Sequence, residues 1–247
     1  MKIMSLNLHC LKEDNREIKW DKIIDFILNN DIDVCLFQEA AQEKDENIIF
    51  DNIKHTNNAH YIANKLNYNI VFHPVKIGFE TLEEGLAIIS KHKISDVSYA
   101  TISKTNDFRT WHKRDYLKAN IAGYTFYNVH LGWDINGETG IDQINGLLEA
   151  AKNDNNCVFL CGDFNYPDDS NEIKHIKLSY HSVSDLANIN SLDNPTFHYS
   201  LDNNAHFQNR MIDFIFTNNK IKIKEFKIIF NSEKDYVSDH NALYLEF

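Results

Sequence analysis

Asp163 and Asn165 are two polar residues that directly follow an apolar run, in the stretch CVFLCGDFNYP at residues 157–167. The run at 158–160 is β-branched and bulky, as in a buried strand, and Gly162 ends it. Residues i and i+2 of an extended chain point the same way, so this spacing directs both polar side chains toward one site. The alternative explanation is that either residue only caps a following helix or turn.

Polar residues also occur at or near the ends of other apolar, strand-like runs. They are Asn7 in SLNLHC, Glu39 in DVCLFQEA, His130 in FYNVHLGWD, Asp213 in MIDFIF, and Asp239 and His240 in YVSDHNALYLEF. Because a buried carboxylate without a partner is costly, we expect Asp213 in its apolar strand to be paired or coordinated. The repetition of the pattern predicts that these strand ends converge on one site.

The donor atoms in this set are mostly oxygens, which suit Mg²⁺, Mn²⁺ or Ca²⁺ rather than zinc. The oxygens belong to Asn7, Glu39, Asp163, Asn165 and Asp239. The sequence contains no H-E-x-x-H or cysteine-rich zinc motif, no P-loop, no G-x-G-x-x-G and no G-x-S-x-G. Two histidines with carboxylates beside a hard cation fit hydrolysis of a phosphate ester by metal-polarised attack of water.

The elements that must position these groups are mainly strands. We predict strands at 2–8, 33–37, 69–72, 85–90, 116–122, 124–131, 157–161, 211–216, 222–230 and 242–247, and helices at 14–30, 58–67, 138–152 and 170–177. The first helix is predicted from the three-and-four spacing of Trp20, Ile23, Ile24, Ile27 and Leu28. Hairpins mixed with β-α-β stretches indicate an α/β protein with mixed sheets. Two sheets packed face to face with helices outside would use this inventory, although periodicity alone does not establish that arrangement.

Composition and charge narrow the class of protein. The chain has 247 residues, of which 43% are hydrophobic. It has only 3 prolines and 8 glycines, so no Pro/Gly-rich linker is visible, and we predict a single domain over 1–247. The formal net charge of −11 favours a small substrate over nucleic acid, because proteins that grip a polyanion usually carry a basic face. No apolar stretch reaches the length of a membrane span, so no membrane partner is expected.

The cysteines bear on the compartment. Cys10, Cys35, Cys157 and Cys161 form no C-x-x-C pair, which predicts free thiols in a reducing environment. The opening MKIMSLNLHC lacks the long apolar core of a signal peptide. We therefore expect a cytoplasmic location, and the oligomeric state stays open.

Seven short motifs together resemble a known superfamily. LNL, LFQEA, EGLAIISK, NVHLGWD, LCGDFN, MIDFIF and VSDH occur in the order seen in the endonuclease/exonuclease/phosphatase superfamily, from Asn7 to the last strand. Each motif is weak alone, and their order and spacing carry the resemblance. It implies the DNase I-like fold, which is an α/β four-layer α-β-β-α sandwich of two mixed β-sheets flanked by helices.

The resemblance also implies a metal site and a catalytic group. Glu39 would be the principal Mg²⁺ ligand, with Asn7 and Asp239 close to it, and Mn²⁺ could take the place of Mg²⁺. Asp163 would orient or deprotonate the attacking water, and Asn165 would hold a phosphate oxygen. The remaining roles fall to His240, which would stabilise charge on phosphorus or pass a proton, and Asp213, which would orient its ring.

Asn7 and three further residues have competing explanations, and for Asn7 the alternative is an interior residue that only makes hydrogen bonds. By the resemblance, His130 is a second acid/base candidate. Glu84 would be its carboxylate partner or would be a solvated carboxylate in a turn. Arg114 in WHKRDYL would contact substrate phosphate or would be a surface charge. Trp133 would stack on a ligand or would cover the sheet edge.

The resemblance does not name the substrate. FRTWHKRDYLKANI and HLGWDINGETGIDQINGLLEA look like stretches of bacterial phosphosugar phosphatases, especially the maltose 6'-phosphate phosphatases. We therefore expect a Mg²⁺-dependent phosphomonoesterase acting on a small phosphorylated substrate. The alternatives are a nuclease, including an abasic-site endonuclease, or a sphingomyelinase-like phosphodiesterase. A non-catalytic binding module would lack some of the motif residues, and none is missing.

Overall fold

A computed structural model of the chain describes residues 1–44, 53–135, 137–198 and 209–247. The elements in chain order are β1 (Lys2–Asn7), α1 (Arg16–Asn30), β2 (Val34–Glu43), α2 (Asn58–Leu66), β3 (Asn69–Gly78), β4 (Leu82–Ser90), β5 (Ile94–Thr101), β6 (Asp115–Ile121), β7 (Tyr124–His130), α3 (Gly140–Ala151), β8 (Cys157–Asp163), α4 (Asn171–Lys177), β9 (His181–Ser182), α5 (Val183–Leu186), β10 (Asp213–Thr217), β11 (Glu225–Ile229) and β12 (Ala242–Glu246). None of the helices in these ranges is long and apolar enough to cross a membrane. The four cysteines are free, as predicted.

The strands form two six-stranded mixed sheets. The first has the order β11-β12-β1-β2-β4-β3, and the second has the order β5-β6-β7-β8-β10-β9. β1 pairs in parallel with β2 and antiparallel with β12. β8 is likewise parallel to β7 and antiparallel to β10. Parallel pairs need a crossover, and α1 and α3 supply the crossovers for the two sheets.

Three apolar cores separate four layers. In β2, Leu36 packs toward the second sheet whereas Phe37 packs toward α1 and α2, as the period of two in a strand requires. In β8, Phe159 faces the first sheet and Leu160 faces α3 and α4. The predicted four-layer α-β-β-α sandwich is therefore confirmed.

Several boundaries differ from the prediction. β2 and β3 run on to Glu43 and Gly78, beyond the ends predicted at 37 and 72. β5 was not predicted, because its residues are mostly exposed on an edge strand and show no buried alternation. Leu28, expected on the buried face of α1, is 57% exposed.

A β-bulge interrupts the pairing of β2 with β4 between Phe37 and Ala40. The buried Asn128 reaches across from the second sheet, and its Nδ2 donates to the carbonyl oxygens of Phe37 at 2.8 Å and Ala87 at 2.9 Å. Its Oδ1 accepts a hydrogen bond from Gln38 Nε2 at 2.6 Å. One amide thus satisfies backbone groups at the bulge and joins the two sheets.

Replacement of Asn128 by alanine is expected to lower the free energy of unfolding by about 2–4 kcal/mol, because buried carbonyl oxygens lose their donor. Urea denaturation followed by circular dichroism measures the loss. The matched control is Asn120→Ala on the neighbouring strand, where the side chain is partly exposed. Equal stability of the two variants would contradict a structural role for the Asn128 bridge.

Candidate active site

The predicted site residues continue the inward-facing rows of the two sheets. Asn7 ends the row of Ile3 and Ser5 in β1, and Asp163 ends the row of Phe159 and Cys161 in β8. The register places His130 and Asp213 directly beside Asp163 on the two neighbouring strands. The polar ends of both sheets therefore meet at one end of the sandwich. Asp213 lies at the first residue of β10 and not inside the strand as predicted.

The glycine before Asp163 explains why the apolar run stops there. Gly162 has a φ of 144°, and a Cβ at this position would lie 1.9 Å from the carbonyl oxygen of Val129. Only glycine therefore allows β8 to approach β7 this closely. Asn165 adopts the left-handed conformation with a φ of 57°, and its backbone N–H donates to Asp163 Oδ1 at 2.8 Å. This turn fixes the direction of the Asp163 carboxylate.

Asp163 lies at the centre of the polar cluster and is buried. Its Oδ2 accepts a hydrogen bond from Asn7 Nδ2 at 3.1 Å and lies 3.5 Å from His130 Nε2 and 3.7 Å from His240 Nε2. Burial, helped by the charge of Asp213, raises the pKa of Asp163 to about 7 despite the opposing effect of His240. A carboxylate with this pKa can accept a proton near neutral pH.

His240 and Asp213 form a buried pair, with His240 Nδ1 at 2.8 Å from Asp213 Oδ2. Burial acts to lower the pKa of His240, but Asp213 and Asp163 outweigh it and hold the pKa well above its ordinary value. The ring is therefore an imidazolium at neutral pH. Its Nε2 proton faces Asp163, where it can meet negative charge on a bound group.

His130 has the opposite protonation. Burial, together with the positive charges of Arg114 and Lys76, holds the pKa of His130 well below its ordinary value. The two histidines therefore face the same carboxylate in different states, one neutral and one charged. Such separation of pKa values is typical of sites that divide acid and base roles.

Glu84 does not have the partner that was predicted for it. The ion pair that the structure gives Glu84 joins its Oε1 to Lys76 Nζ at 2.9 Å, whereas His130 contacts Asp163. The β3–β4 register explains this, because Lys76 is directly opposite Glu84 on the adjacent strand. Glu84 nevertheless lines the same cleft, so it is not a solvated turn residue.

Glu39 enters the site from the β2 bulge, in a left-handed conformation with a φ of 46°. Its carboxylate accepts hydrogen bonds from Asn7 Nδ2 at 3.1 Å and Cys10 Sγ at 3.4 Å. Burial, followed by the charges of Glu84 and Asp239, raises the pKa of Glu39. A divalent cation would relieve this repulsion, and carboxylates are oxygen ligands that Mg²⁺ or Mn²⁺ prefers. The assignment of Glu39 and Asp239 as its ligands stays a prediction.

Asn7 lies between Glu39 and Asp163, and its role beside the metal, directly or through water, stays a prediction. Its Oδ1 accepts the backbone N–H of His9 at 3.0 Å, which turns the Nδ2 group toward Glu39 and Asp163. The amide therefore orients these two carboxylates, while its oxygen, which has two lone pairs, accepts one hydrogen bond from the backbone. Ser238 supports this arrangement, since its Oγ donates to the Asn7 carbonyl oxygen at 2.7 Å.

The Glu39→Gln variant is expected to raise the Mg²⁺ concentration needed for half-maximal activity by about 10-fold or more, since a hard cation loses an anionic ligand. The measurement is a Mg²⁺ titration of hydrolysis for the variant and the wild type. Glu43→Gln, at the exposed last residue of β2, is the matched control. An unchanged titration would remove Glu39 from the ligand set.

Arg114 and Trp133 both line a cleft of about 900 Å³ that also contains Glu39, Asp163 and His240. Arg114 is only 5% exposed, so it is not a surface charge. Trp133 is 46% exposed, and its Nε1 donates to Asn165 Oδ1 at 3.1 Å. The Asn165 amide in turn donates to the Leu131 carbonyl oxygen, so it anchors the indole, and its contact with phosphate stays a prediction.

The sequence did not single out some residues of this cleft. They are His9, Lys76, Trp111 and Phe197. Trp111 lies 6.0 Å from Trp133 between ring centroids, so the two indoles form one aromatic wall. The motif W-H-K-R that pointed to Arg114 already contained Trp111, and the cleft shows that both ends of this motif face the site.

The comparisons with known proteins agree with this geometry. The model of the "Endonuclease/Exonuclease/phosphatase family" matches residues 4–240. The chain belongs to this family. Members of the endonuclease/exonuclease/phosphatase family are metal-dependent phosphoester hydrolases, and we assign that activity to this chain. No curated protein matches the chain significantly.

Several solved structures have a similar fold over nearly the full length of this chain. A family protein from Leptotrichia buccalis is 26% identical with a TM-score of 0.85, and the match covers 100% of this chain and 98% of the other. An AP endonuclease from Archaeoglobus fulgidus is 16% identical with a TM-score of 0.71, covering 100% and 99% of the two chains. The human nocturnin catalytic domain is 16% identical with a TM-score of 0.65, covering 99% and 92%. The last two similarities show the fold alone.

Proposed function

We propose that this family member is a Mg²⁺-dependent phosphomonoesterase, with Mn²⁺ as an alternative cation, and that its substrate is a small phosphorylated molecule such as a phosphosugar. The observation that carries the proposal is the position of Arg114. This guanidinium is buried in the catalytic cleft and makes no ion pair with a carboxylate in the described ranges of the chain. A buried cation of this kind needs an anionic partner, which a substrate phosphate supplies.

The hydrogen bonds of Arg114 leave part of its fork unused. Nη1 donates to the carbonyl oxygens of Trp111 at 3.2 Å and Lys113 at 3.4 Å, while the buried Nε has no hydrogen-bond partner among the described residues. The guanidinium is thus held from one side by the backbone of its own segment. Its remaining donors suit the oxygens of a phosphate group.

The walls of the cleft favour a small organic body on the phosphate. Trp111 and Trp133 are both about half exposed there, and Phe79 lines the same cleft. Aromatic faces stack well on the C–H face of a sugar ring and exclude water from it. The formal net charge of −11 further favours a small substrate over a nucleic acid.

We also propose a cytoplasmic location for the protein, which its four free cysteines support.

The residues of the cleft divide the chemistry among them. A bound cation on Glu39 and Asp239 would neutralise phosphate charge and make water a better nucleophile. Asp163 orients the attacking water and accepts its proton. His240, held by Asp213, donates to a phosphoryl oxygen as negative charge grows there, and Arg114 binds the other oxygens.

The pH dependence follows from the need for an ionised Asp163. Its pKa of about 7 predicts that kcat/KM falls as the pH drops through an acid limb, since the protonated carboxyl cannot accept a proton. A bound cation favours the ionised form, so the limb is expected at or below that pH. Measurement of kcat/KM across the pH range at saturating Mg²⁺ tests this. A rate that keeps rising toward acid pH would exclude Asp163 as the base.

The substrate class is tested by a hydrolysis screen with Mg²⁺ and Mn²⁺, measured as inorganic phosphate for sugar esters, strand cleavage for DNA and phosphocholine for sphingomyelin. It compares monosaccharide and disaccharide phosphates with supercoiled and abasic-site DNA and with sphingomyelin, and uses Asp163→Ala as the blank. Phosphate released from sugar esters, with DNA and lipid untouched, supports the proposal. Cleaved DNA with intact sugar phosphates would overturn it in favour of a nuclease.

A further inference from the structure

We propose that Lys76 and Arg114 together form a cradle for a phosphate dianion, and that Lys76 is the residue that makes this site prefer phosphomonoesters to phosphodiesters. The inference rests on the proposed function, because it assumes that the phosphate group of the substrate lies in the same cleft. It assigns to one side chain a preference that the overall fold does not determine.

The backbone is built to bring Lys76 into the cleft. A bulge between Pro74 and Lys76 shifts the register of β3 against β4, so that Lys76 faces inward opposite Glu84. Gly78 completes this arrangement, since a Cβ there would lie 2.7 Å from Glu84 Oε2. The bulge and the glycine both serve to seat the lysine and the glutamate inside the sandwich.

Lys76 and Arg114 are two buried cations side by side. They are 6% and 5% exposed, and both line the catalytic cleft next to His130. Burial and then the charge of Arg114 lower the pKa of Lys76, and the charges of Glu84 and Glu39 oppose this effect, so the two cations repel each other. Burial and the charges of Arg114 and Lys76 lower the pKa of His130, so this ring adds no third positive charge. A group with two negative charges would satisfy this pair.

Glu84 fixes the ammonium group without using all of its donors. Its Oε1 contacts Lys76 Nζ at 2.9 Å, and an ammonium has three N–H groups. Glu84 also lies against the Glu39 side of the site, where a ligand atom of each of Cys10, Glu39 and Glu84 falls within 4.8 Å of the others. A cation held by Glu39 would therefore share the charge of Glu84 and leave Lys76 available to substrate.

The charge of the substrate makes this cradle selective. A phosphomonoester carries a charge of about −1.5 to −2 at neutral pH, with three terminal oxygens, whereas a diester carries a single charge and two such oxygens. A second cation beside Arg114 therefore contributes more to binding of the monoester. The loss of one charge-assisted hydrogen bond corresponds to a decrease in affinity of about 10- to 100-fold.

Equilibrium binding tests the cradle without relying on turnover. Isothermal titration calorimetry at saturating Mg²⁺ compares methyl phosphate, a dianion, with dimethyl phosphate, a monoanion. It is carried out on Asp163→Asn, in which hydrolysis is expected to be almost abolished, and on the same protein with Lys76→Met added. Lys177→Met is the matched control, since Lys177 forms ion pairs with Asp168 and Asp185 away from the cleft. Lys76→Arg is included because it keeps the charge.

The proposal expects Lys76→Met to bind methyl phosphate about 10- to 100-fold more weakly and dimethyl phosphate less than about 3-fold more weakly. Lys76→Arg should retain most of the preference, and Lys177→Met should retain all of it. If Lys76→Met fails to fold because Glu84 is left unpaired, the Lys76→Met/Glu84→Gln double variant gives the same comparison. Equal weakening for both ligands, or none, in a folded variant overturns the cradle.

The two proposals fail in different ways. If Asp163→Asn binds methyl phosphate with this preference but the wild type releases phosphate from no ester, the cradle stands and the proposed function falls. If the wild type hydrolyses monoesters while Lys76→Met keeps the full preference for methyl phosphate, the proposed function stands and the cradle falls.

Discussion

Asp163→Asn is expected to lower kcat by about 10²- to 10⁴-fold, because the carboxylate that we propose as the acceptor of the water proton is removed. The substitution keeps the shape of the side chain and an oxygen for the Asn165 backbone N–H. KM should change much less than kcat, since Asp163 acts mainly as the proton moves. Steady-state kinetics on any accepted phosphate ester measures both constants.

The same variant should be more stable than the wild type in the presence of a chelator. Burial raises the pKa of Asp163 in the folded state above the pKa in the unfolded state. At a pH between these two pKa values, Asp163 is protonated in the folded state and ionised in the unfolded state. Stability therefore falls as the pH rises through that window, and asparagine removes this cost. Thermal unfolding at neutral pH detects the gain, with the exposed Asp185→Asn as the control. Near-wild-type kcat, or a lower melting temperature, would contradict the assignment.

His240→Gln is expected to lower kcat by about 10²- to 10³-fold, as removal of a preorganised charged donor does in other enzymes. The imidazolium is fixed by Asp213 at 2.8 Å, and its Nε2 faces the reacting side of Asp163. Asp213→Asn should show part of the same loss, because it leaves the ring in place without its charge partner. His175→Gln on α4 is the matched control.

The stability of the His240→Gln variant has a pH dependence of its own. The pKa of His240 is raised in the folded state, so the stabilisation from its pair with Asp213 is fully present below the unfolded pKa and is lost as the pH rises through the folded one. The variant should therefore be less stable than the wild type at acid and neutral pH, and this difference should shrink at alkaline pH. An unchanged kcat together with a pH-independent difference would remove His240 from the mechanism.

Much of the site could be predicted because it depends on the alternation of side chains along strands. Asn7, His130 and Asp163 each extend an inward-facing row, and the motifs around them preserve the period of two. The chain order of these motifs, read as a family resemblance, then gave the four-layer fold. Arg114 was found because its motif precedes a strand.

Other features depend on breaks in that alternation. Pro74 interrupts the apolar run of β3, so the strand was predicted to end at 72 and Lys76 was missed. Because Lys76 was not predicted in the site, Glu84 was predicted to partner His130. The bulged register of β3 and β4 instead places Lys76 opposite Glu84. The Glu39 bulge has a similar origin, because its support comes from Asn128 in the other sheet. Bulges and cross-sheet amides arise from tertiary packing that periodicity does not report.

The most direct test of the central claim is hydrolysis of a phosphate ester by chelator-treated protein as Mg²⁺ is added back, measured for the wild type and for Asp163→Asn. The geometry of Glu39, Asp163 and His240 predicts no activity without the cation, restoration with Mg²⁺ in the wild type, and almost none in the variant at any Mg²⁺ concentration. Hydrolysis that is independent of added cation, or equal in the two proteins, would contradict a metal-dependent phosphoester hydrolase site in this cleft.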